Sequence, residues 1–324
     1  MVNITNPIKK RRKKPLFSQW QLMVMSIPML LYVLLFAYVP LGGWIMAFQN
    51  YRPRFGVGPI QNMIQAEWVG LDNFRTLLDT SSHTGARFIR ALQNTLGQSL
   101  LTLVIGTICA ITLSLMLHEV RQTGIKRFIQ NILYLPFFLS WMIVTVLVSM
   151  ALALPASGGI INDLLLTLRI VREPIHFLAE PRYFWGIVAG ANLWRNLGWN
   201  TIIYMAAMTA IDPNLYEAAS IDGASRYRKM WHITLATIRP TIILLIIMNI
   251  GWLLASGFEI QFFLGDGPAR ARAENIDIFV LRFGIEMHNF SLATAAGVFR
   301  TGVSILLLLG ANLIAKFLKQ ETLF

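Results

Sequence analysis

Six long apolar stretches alternate with shorter polar segments along this 324-residue chain. A hydrocarbon core about 30 Å thick takes roughly 20 mainly apolar helical residues to cross, so the pattern predicts six membrane-spanning helices. Their approximate limits are Leu22 to Phe48, Phe88 to Leu117, Phe128 to Leu154, Tyr183 to Ala210, Ile238 to Phe263 and Phe290 to Leu318. Several exceed the minimum length, which implies tilt or extension past the bilayer. The predicted fold is an all-α integral membrane domain. Composition agrees: 55% hydrophobic residues, 14% charged residues and a mean hydropathy of +0.56 do not describe a soluble domain with a polar surface.

Charge orients the spans. Lys9, Lys10, Lys13 and Lys14 precede the first, Lys126 lies between the second and third, Lys229 between the fourth and fifth, and Lys316 and Lys319 close the chain. With six spans, all eight fall on one side. Short cytoplasmic segments carry an excess of Lys and Arg, so this side is expected to be the cytoplasm, with both termini there. The basic run Lys9-Lys10-Arg11-Arg12-Lys13-Lys14 is explained as an anchor facing the anionic leaflet, with no nucleic acid as partner. A cleavable signal peptide is disfavoured, since the apolar stretch is too long and lacks a clear small-residue cleavage site.

The organisation expected is a basic tail over 1-20, a first span with a long outer loop over 21-87, a helical core over 88-319 and a short tail over 320-324. In the outer loop, Pro53, Gly56, Gly58 and Pro59 mark turns, and Leu71-Asp72-Asn73-Phe74 opens a short helix.

Chemistry is sparse. No phosphate-binding loop of the Gly, four residues, Gly-Lys-Ser/Thr form is present. His83, His118, His176, His232 and His288 are scattered without metal-ligand or nucleophile spacing. Cys109 has no partner for an intrachain disulfide and is read as a packing residue. No catalytic residue, metal or cofactor is assigned to the chain itself, and it is not expected to be an enzyme.

The informative polar interruption lies between the fourth and fifth spans, over 212-240. Asp212 supplies an N-cap acceptor and Pro213 the first helical position, so a short helix should run through Glu217, Ala218 and Ala219 and end or bend near Asp222 and Gly223. Nine residues later come Ile233, Thr234 and Leu235. Paired alanines give a face that another protein's cleft can approach closely.

Glu217-Ala218-Ala219, three residues, Gly223, nine residues, then Ile233 and Leu235 resembles the coupling loop of permease subunits of type I bacterial ABC importers. Gly198-Trp199-Asn200-Thr201 and Ile211-Asp212-Pro213 are similar to the carbohydrate-uptake branch, and the overall pattern to the larger permease of alginate importers and their oligosaccharide-uptake relatives. One position departs, because Ala236 stands where the family has proline. The resemblance implies a chain in the bacterial inner membrane that works with a second, homologous permease, two ATP-binding subunits that hold ATP and Mg, and a solute-binding protein outside. It makes Glu217, Ala218, Ala219, Asp222, Gly223, Ile233 and Leu235 the residues that couple to the ATPase.

Polar side chains within spans cost energy and mark a pathway or a helix contact. Asn192, Trp194, Arg195, Asn196 and Asn200 in the fourth span, Asn249, Trp252 and Glu259 in the fifth and Arg300 in the sixth are candidates for the solute pathway, aromatic faces and amides being suited to sugar rings. Interfacial belts of tryptophan and snorkelling arginines are the plainer alternative. On the predicted outer side lysine is absent while arginine abounds, for example Arg52, Arg54, Arg87, Arg270 and Arg282. An acidic oligosaccharide such as a polyuronate would account for that asymmetry. Neutralisation by outer carboxylates such as Glu274 and Asp277 accounts for it equally. An ion-coupled secondary transporter of a polar solute shares the span count but has no reason to carry the coupling motif.

Overall fold

The first helix, α1 (Trp20–Val33), continues through a widened turn at Leu34–Tyr38 and a tightened one at Val39–Phe48 into a single apolar rod over Trp20–Phe48. It is apolar all round and none of its α1 residues is buried, the condition of a helix whose surroundings are hydrocarbon. In this computed structural model residues 20–318 are described, except 55, 256 and 266, together with residue 322. The basic run Lys9 to Lys14, Lys319 and most of the C-terminal tail lie outside the described residues.

A small cap follows the rod. Strands β1 (Gln49–Asn50) and β2 (Glu67–Trp68) pair antiparallel, with Gln49 opposite Trp68, and enclose α2 (Pro59–Gln65). Next comes α3 (Asp72–Leu78), the short helix anticipated from Leu71-Asp72-Asn73-Phe74. The Asn73 amide donates to the carbonyls of Ala47 (2.9 Å) and Gln49 (3.1 Å), tying the cap to the rod.

The longest helix, α4 (His83–Glu119), is capped by the Ser82 hydroxyl, which accepts from the Gly85 amide at 2.9 Å. Helix α5 (Thr123–Tyr134) runs into a tight turn at Leu135–Phe138, and α6 (Trp141–Leu152) then departs at 103°. Pro136 withholds a donor from the helical ladder, and the Ser140 hydroxyl caps the new helix. After α7 (Ile160–Thr167) the chain crosses back as α8 (Pro181–Thr209). Beyond lie α9 (Pro213–Ile221), α10 (Arg226–Lys229), α11 (Leu235–Gly251), α12 (Phe258–Leu264), α13 (Arg270–Ala273), α14 (Ile276–Leu281) and α15 (Phe290–Phe317).

Among the described residues four helices are long and apolar enough to cross a membrane: Trp20–Phe48, His83–Glu119, Arg226–Gly251 and Phe290–Phe317. The bent pair α5 and α6 would make a fifth. Helix α8 has the length of a span, but its asparagines and Arg195 make it more polar than the others. The expected fifth span does not run unbroken to Phe263, since α11 stops at Gly251 and α12 restarts after Gly257, whose φ is +93°. The helical membrane fold stands, and two of its apolar stretches, Phe128 to Leu154 and Ile238 to Phe263, are broken within their length.

Packing joins the helices at both ends. At the Phe48 end, Ala47, Leu77, Phe88, Phe279 and Leu292 form one core. Beside it the buried Glu274 carboxylate accepts from Arg87 Nε at 2.8 Å and from Arg282 Nη1 at 3.3 Å. At the Glu119 end, Met208, Ile211 and Ile238 pack with Leu115, Tyr216, Ile233 and Leu235. Between them, Gly198 of α8 lies against the backbone of Leu133 and Tyr134 in α5.

Candidate functional site

Helix α9 projects from the Glu119 end and is built from local signals. The Asp212 carboxylate accepts from the Asn214 amide at 2.9 Å and Pro213 occupies the first turn. The helix closes as Ala224 donates to the Ala219 carbonyl at 2.8 Å, with Gly223 left-handed at φ +72°. Ser225 then caps α10.

Glu217, Ala218, Asp222 and Gly223 are exposed and Ala219 is half-buried. Apolar side chains accompany them: Leu215, Ile221, Tyr227 and Trp231 are all exposed, Ile221 at 88%. Ile233 and Leu235 do not belong to this surface. They pack inward with Met208, Ile211 and Ile238, and so hold the base of the projection. Tyr216 joins them, its hydroxyl 2.9 Å from the Thr234 hydroxyl and its ring beside His118 of α4. Lys229 adds a brace, donating to the Ser220 hydroxyl at 2.6 Å. Despite Ala236, the second arm stays helical from Arg226 to Gly251, with Pro240 accommodated inside α11.

Within the helices, α4, α8 and α11 enclose a cavity of about 310 Å³. Asn192, Asn196 and Asn200 stand four residues apart on α8 and so share a face, and all three line it. Asn249 of α11 and Trp252 just past its end close it. The sequence reading missed the α4 wall, where Gln98, Ser99 and Thr102 line the same space. Gln98 donates to Thr102 at 3.2 Å while its buried Oε1 has no protein partner. Polar residues four apart in an otherwise apolar helix were the available signal. The lining offers amides, hydroxyls and one indole, and no ionised side chain. Such a surface suits a solute dense in hydroxyl groups.

The remaining candidates lie elsewhere. Arg195 points to the α5–α6 bend, where its Nε donates to the Leu139 carbonyl at 3.0 Å and its guanidinium lies 4.6 Å from the Trp141 ring centre. Trp194 is half-exposed on α8 and Glu259 is exposed on α12. Arg300 lines a separate space between Trp44, Phe258 and α14, and is paired with Asp277. Among the described residues no group of three His, Cys, Asp or Glu side chains could hold a metal ion.

The profile of the binding-protein-dependent transport system inner membrane component matches residues 102–322. The chain is 40% identical over 319 residues to the polygalacturonan/rhamnogalacturonan transport system permease protein YteP of Bacillus subtilis, covering 98% of this chain and 95% of that one. It is 39% identical over 308 residues to Protein LplB of the same organism, covering 95% and 92%. Among solved structures it is similar to a bacterial ABC transporter involved in the import of the acidic polysaccharide alginate, with a TM-score of 0.81 and 35% identity over 93% of this chain and 96% of that one. A bacterial alginate ABC transporter in complex with an alginate pentasaccharide-bound periplasmic protein matches with a TM-score of 0.83 and 34% identity, covering 95% and 98%. By the profile and by these near full-length likenesses, the chain belongs to the family of binding-protein-dependent transport system inner membrane components, as a permease of the ABC sugar-importer type.

Proposed function

We propose that this permease forms one half of the translocation pathway of an importer for a carboxylated oligosaccharide. A second, homologous permease supplies the other half, two ATP-binding subunits hold ATP and Mg at the cytoplasmic face, and a solute-binding protein delivers the solute from outside. The observation that carries the coupling role is the projection of α9: Glu217, Ala218, Asp222 and Gly223 are exposed, while Tyr216, Ile233 and Leu235 anchor its base in the helical core. A rigidly based, exposed helix can transmit a push from a neighbouring subunit to α8 and α11, which it joins. Those two helices line the polar cavity, so a movement of α9 would reshape it.

Both termini and α9 are assigned to the cytoplasm from the one-sided lysines. The acidic character of the solute is supported by similar proteins, one a polygalacturonan/rhamnogalacturonan permease and one a transporter that imports alginate. The test is co-purification and uptake. The tagged chain should bring down an ATP-hydrolysing subunit and a second permease, and the assembly in liposomes should take up a uronic-acid oligomer only with ATP and the binding protein. Uptake driven by a proton gradient without ATP would overturn the reading.

A further inference from the structure

The cavity between α4, α8 and α11 is lined by no ionised side chain, so this chain does not meet the charge of a carboxylated solute there. Some outer arginines are already neutralised within the chain. Arg75, Arg87, Arg182, Arg282 and Arg300 are each paired with a carboxylate of the chain. Arg52 and Arg54, like Arg90, Arg169, Arg172, Arg270 and Arg272, have no carboxylate partner among the described residues, and these two stand together in a cavity whose lining has no carboxylate. They follow β1, and the cavity, of about 850 Å³, has as its opposite wall His288, Asn289 and Phe290 at the start of α15.

The geometry points to this cavity as a second saccharide site, in which Arg52 and Arg54 receive uronate carboxylates and the ring of Tyr51 or Phe290 supports a sugar face. This rests on the reading of the solute as a carboxylated oligosaccharide. The cavity has a fixed frame. The Tyr51 amide donates to the Ser291 hydroxyl at 2.7 Å, and the Tyr51 and Phe290 rings meet edge to face at 6.1 Å. The buried Asn62 amide donates to the Arg54 carbonyl at 3.4 Å, and Asn289 caps α15. His288 sits in the left-handed region at φ +56°, held between hydrogen bonds from the Met287 and Asn289 amides to the carbonyls of Arg282 and Phe283. Non-glycine residues persist in that region where their surroundings over-determine them, often at ligand sites. A concave space of this volume falls in the range of small-ligand pockets, whereas protein partners meet flatter surfaces. Guanidinium forks pair bidentately with carboxylates, and aromatic faces stack on the apolar faces of sugars.

Equilibrium binding to the intact membrane complex in nanodiscs, without the solute-binding protein, tests the site with trigalacturonate and neutral galactotriose as probes. The wild type should bind trigalacturonate about tenfold or more tightly than galactotriose, and Arg52→Gln with Arg54→Gln should erase that preference at an unchanged melting temperature. Arg52→Lys with Arg54→Lys should restore part of it, charge being kept and the fork lost. A preference that survives the glutamine variant overturns the proposal, as does equal binding of both probes by the wild type. Loss of solute-binding-protein capture by the glutamine variant, with no saccharide bound by the wild type, likewise overturns it in favour of a protein contact. ATP-driven uptake of trigalacturonate by the complete importer separates the two levels: uptake without a charge preference in nanodiscs removes this site alone, whereas uptake confined to galactotriose removes the acidic-solute reading itself.

Discussion

The hydroxyl of Tyr216 in α9 lies 2.9 Å from that of the buried Thr234, eighteen residues later at the foot of α11. One hydrogen bond thus closes the loop on which the exposed surface of α9 stands. Tyr216→Phe keeps the ring against His118 but leaves Thr234 without this partner, a net cost of about 1 kcal/mol. Amide exchange over 213–222 should accelerate several-fold while the rest of the chain is unchanged. ATP hydrolysis stimulated by the loaded binding protein should fall with it. Unaltered exchange would show that Ile233 and Leu235 alone hold the base.

Gly223 gives a sharper test of the same projection. At φ +72° a side chain is strained, although no atom stands within 4 Å of the position an added Cβ would take. Gly223→Leu should cost about 1–2 kcal/mol in the local turn and re-aim α9, abolishing transport while leaving membrane insertion intact. Gly223→Asn, which tolerates left-handed backbone, should retain most activity. Glu217→Lys, with unchanged backbone, should abolish transport through charge alone. Wild-type uptake by both Gly223→Leu and Glu217→Lys would remove α9 from the coupling role.

Close approach between α5 and α8 is tested at Gly198. A Cβ there would collide with the Leu133 carbonyl and lie 2.7 Å from the Tyr134 nitrogen, whereas one at Gly190 of the same helix meets nothing within 4 Å. Gly198→Ala should therefore destabilise by about 1–3 kcal/mol, seen as a lowered melting temperature in detergent. Gly190→Ala should be neutral or slightly stabilising. Similar effects at the two positions would contradict the packing.

The turn that carries α9 was legible in the sequence because its determinants are local: Asp212 and Pro213 start it, Gly223 ends it, and each acts within a few residues. Long-range partners were not legible. Arg87 and Glu274 are separated by 187 positions, and nothing in either neighbourhood marks the other. Hydropathy also missed breaks inside two apolar stretches. It registers that Phe128 to Leu154 and Ile238 to Phe263 are apolar, yet it does not see backbone donors, so the break at Pro136 and Ser140 and the stop at Gly251 passed unmarked. Gln98 and Thr102 escaped because a few polar groups barely lower the hydropathy of a 37-residue helix.

Orientation can be measured directly in a Cys109→Ala background. Cysteines placed at Gly58 and Gly267, both exposed, should react with an impermeant thiol reagent in intact cells, and one at the exposed Ser225 should not. Labelling at Ser225 from outside would reverse the assignment and separate α9 from cytoplasmic ATPases.

Arg300 is the candidate whose role a double-mutant cycle can decide. It pairs with Asp277 across α15 and α14, with each side chain about a quarter exposed. Removing one member of such a pair leaves the other charge desolvated and alone, while removing both does not. If the pair serves only to neutralise itself, Arg300→Gln and Asp277→Asn should each lower stability and transport, and the double variant should recover much of both. We expect this recovery, because the polar cavity lined by Asn192, Asn196, Asn200 and Asn249 does not include Arg300. A double variant as stable as the wild type that no longer imports a uronic-acid oligomer, yet still imports a neutral one, would instead put Arg300 on the pathway. Arg195→Gln supplies the comparison. Its guanidinium holds the Leu139 carbonyl at the α5–α6 bend. Its loss should therefore slow import of acidic and neutral oligomers alike, and a defect confined to acidic ones would contradict that positioning role.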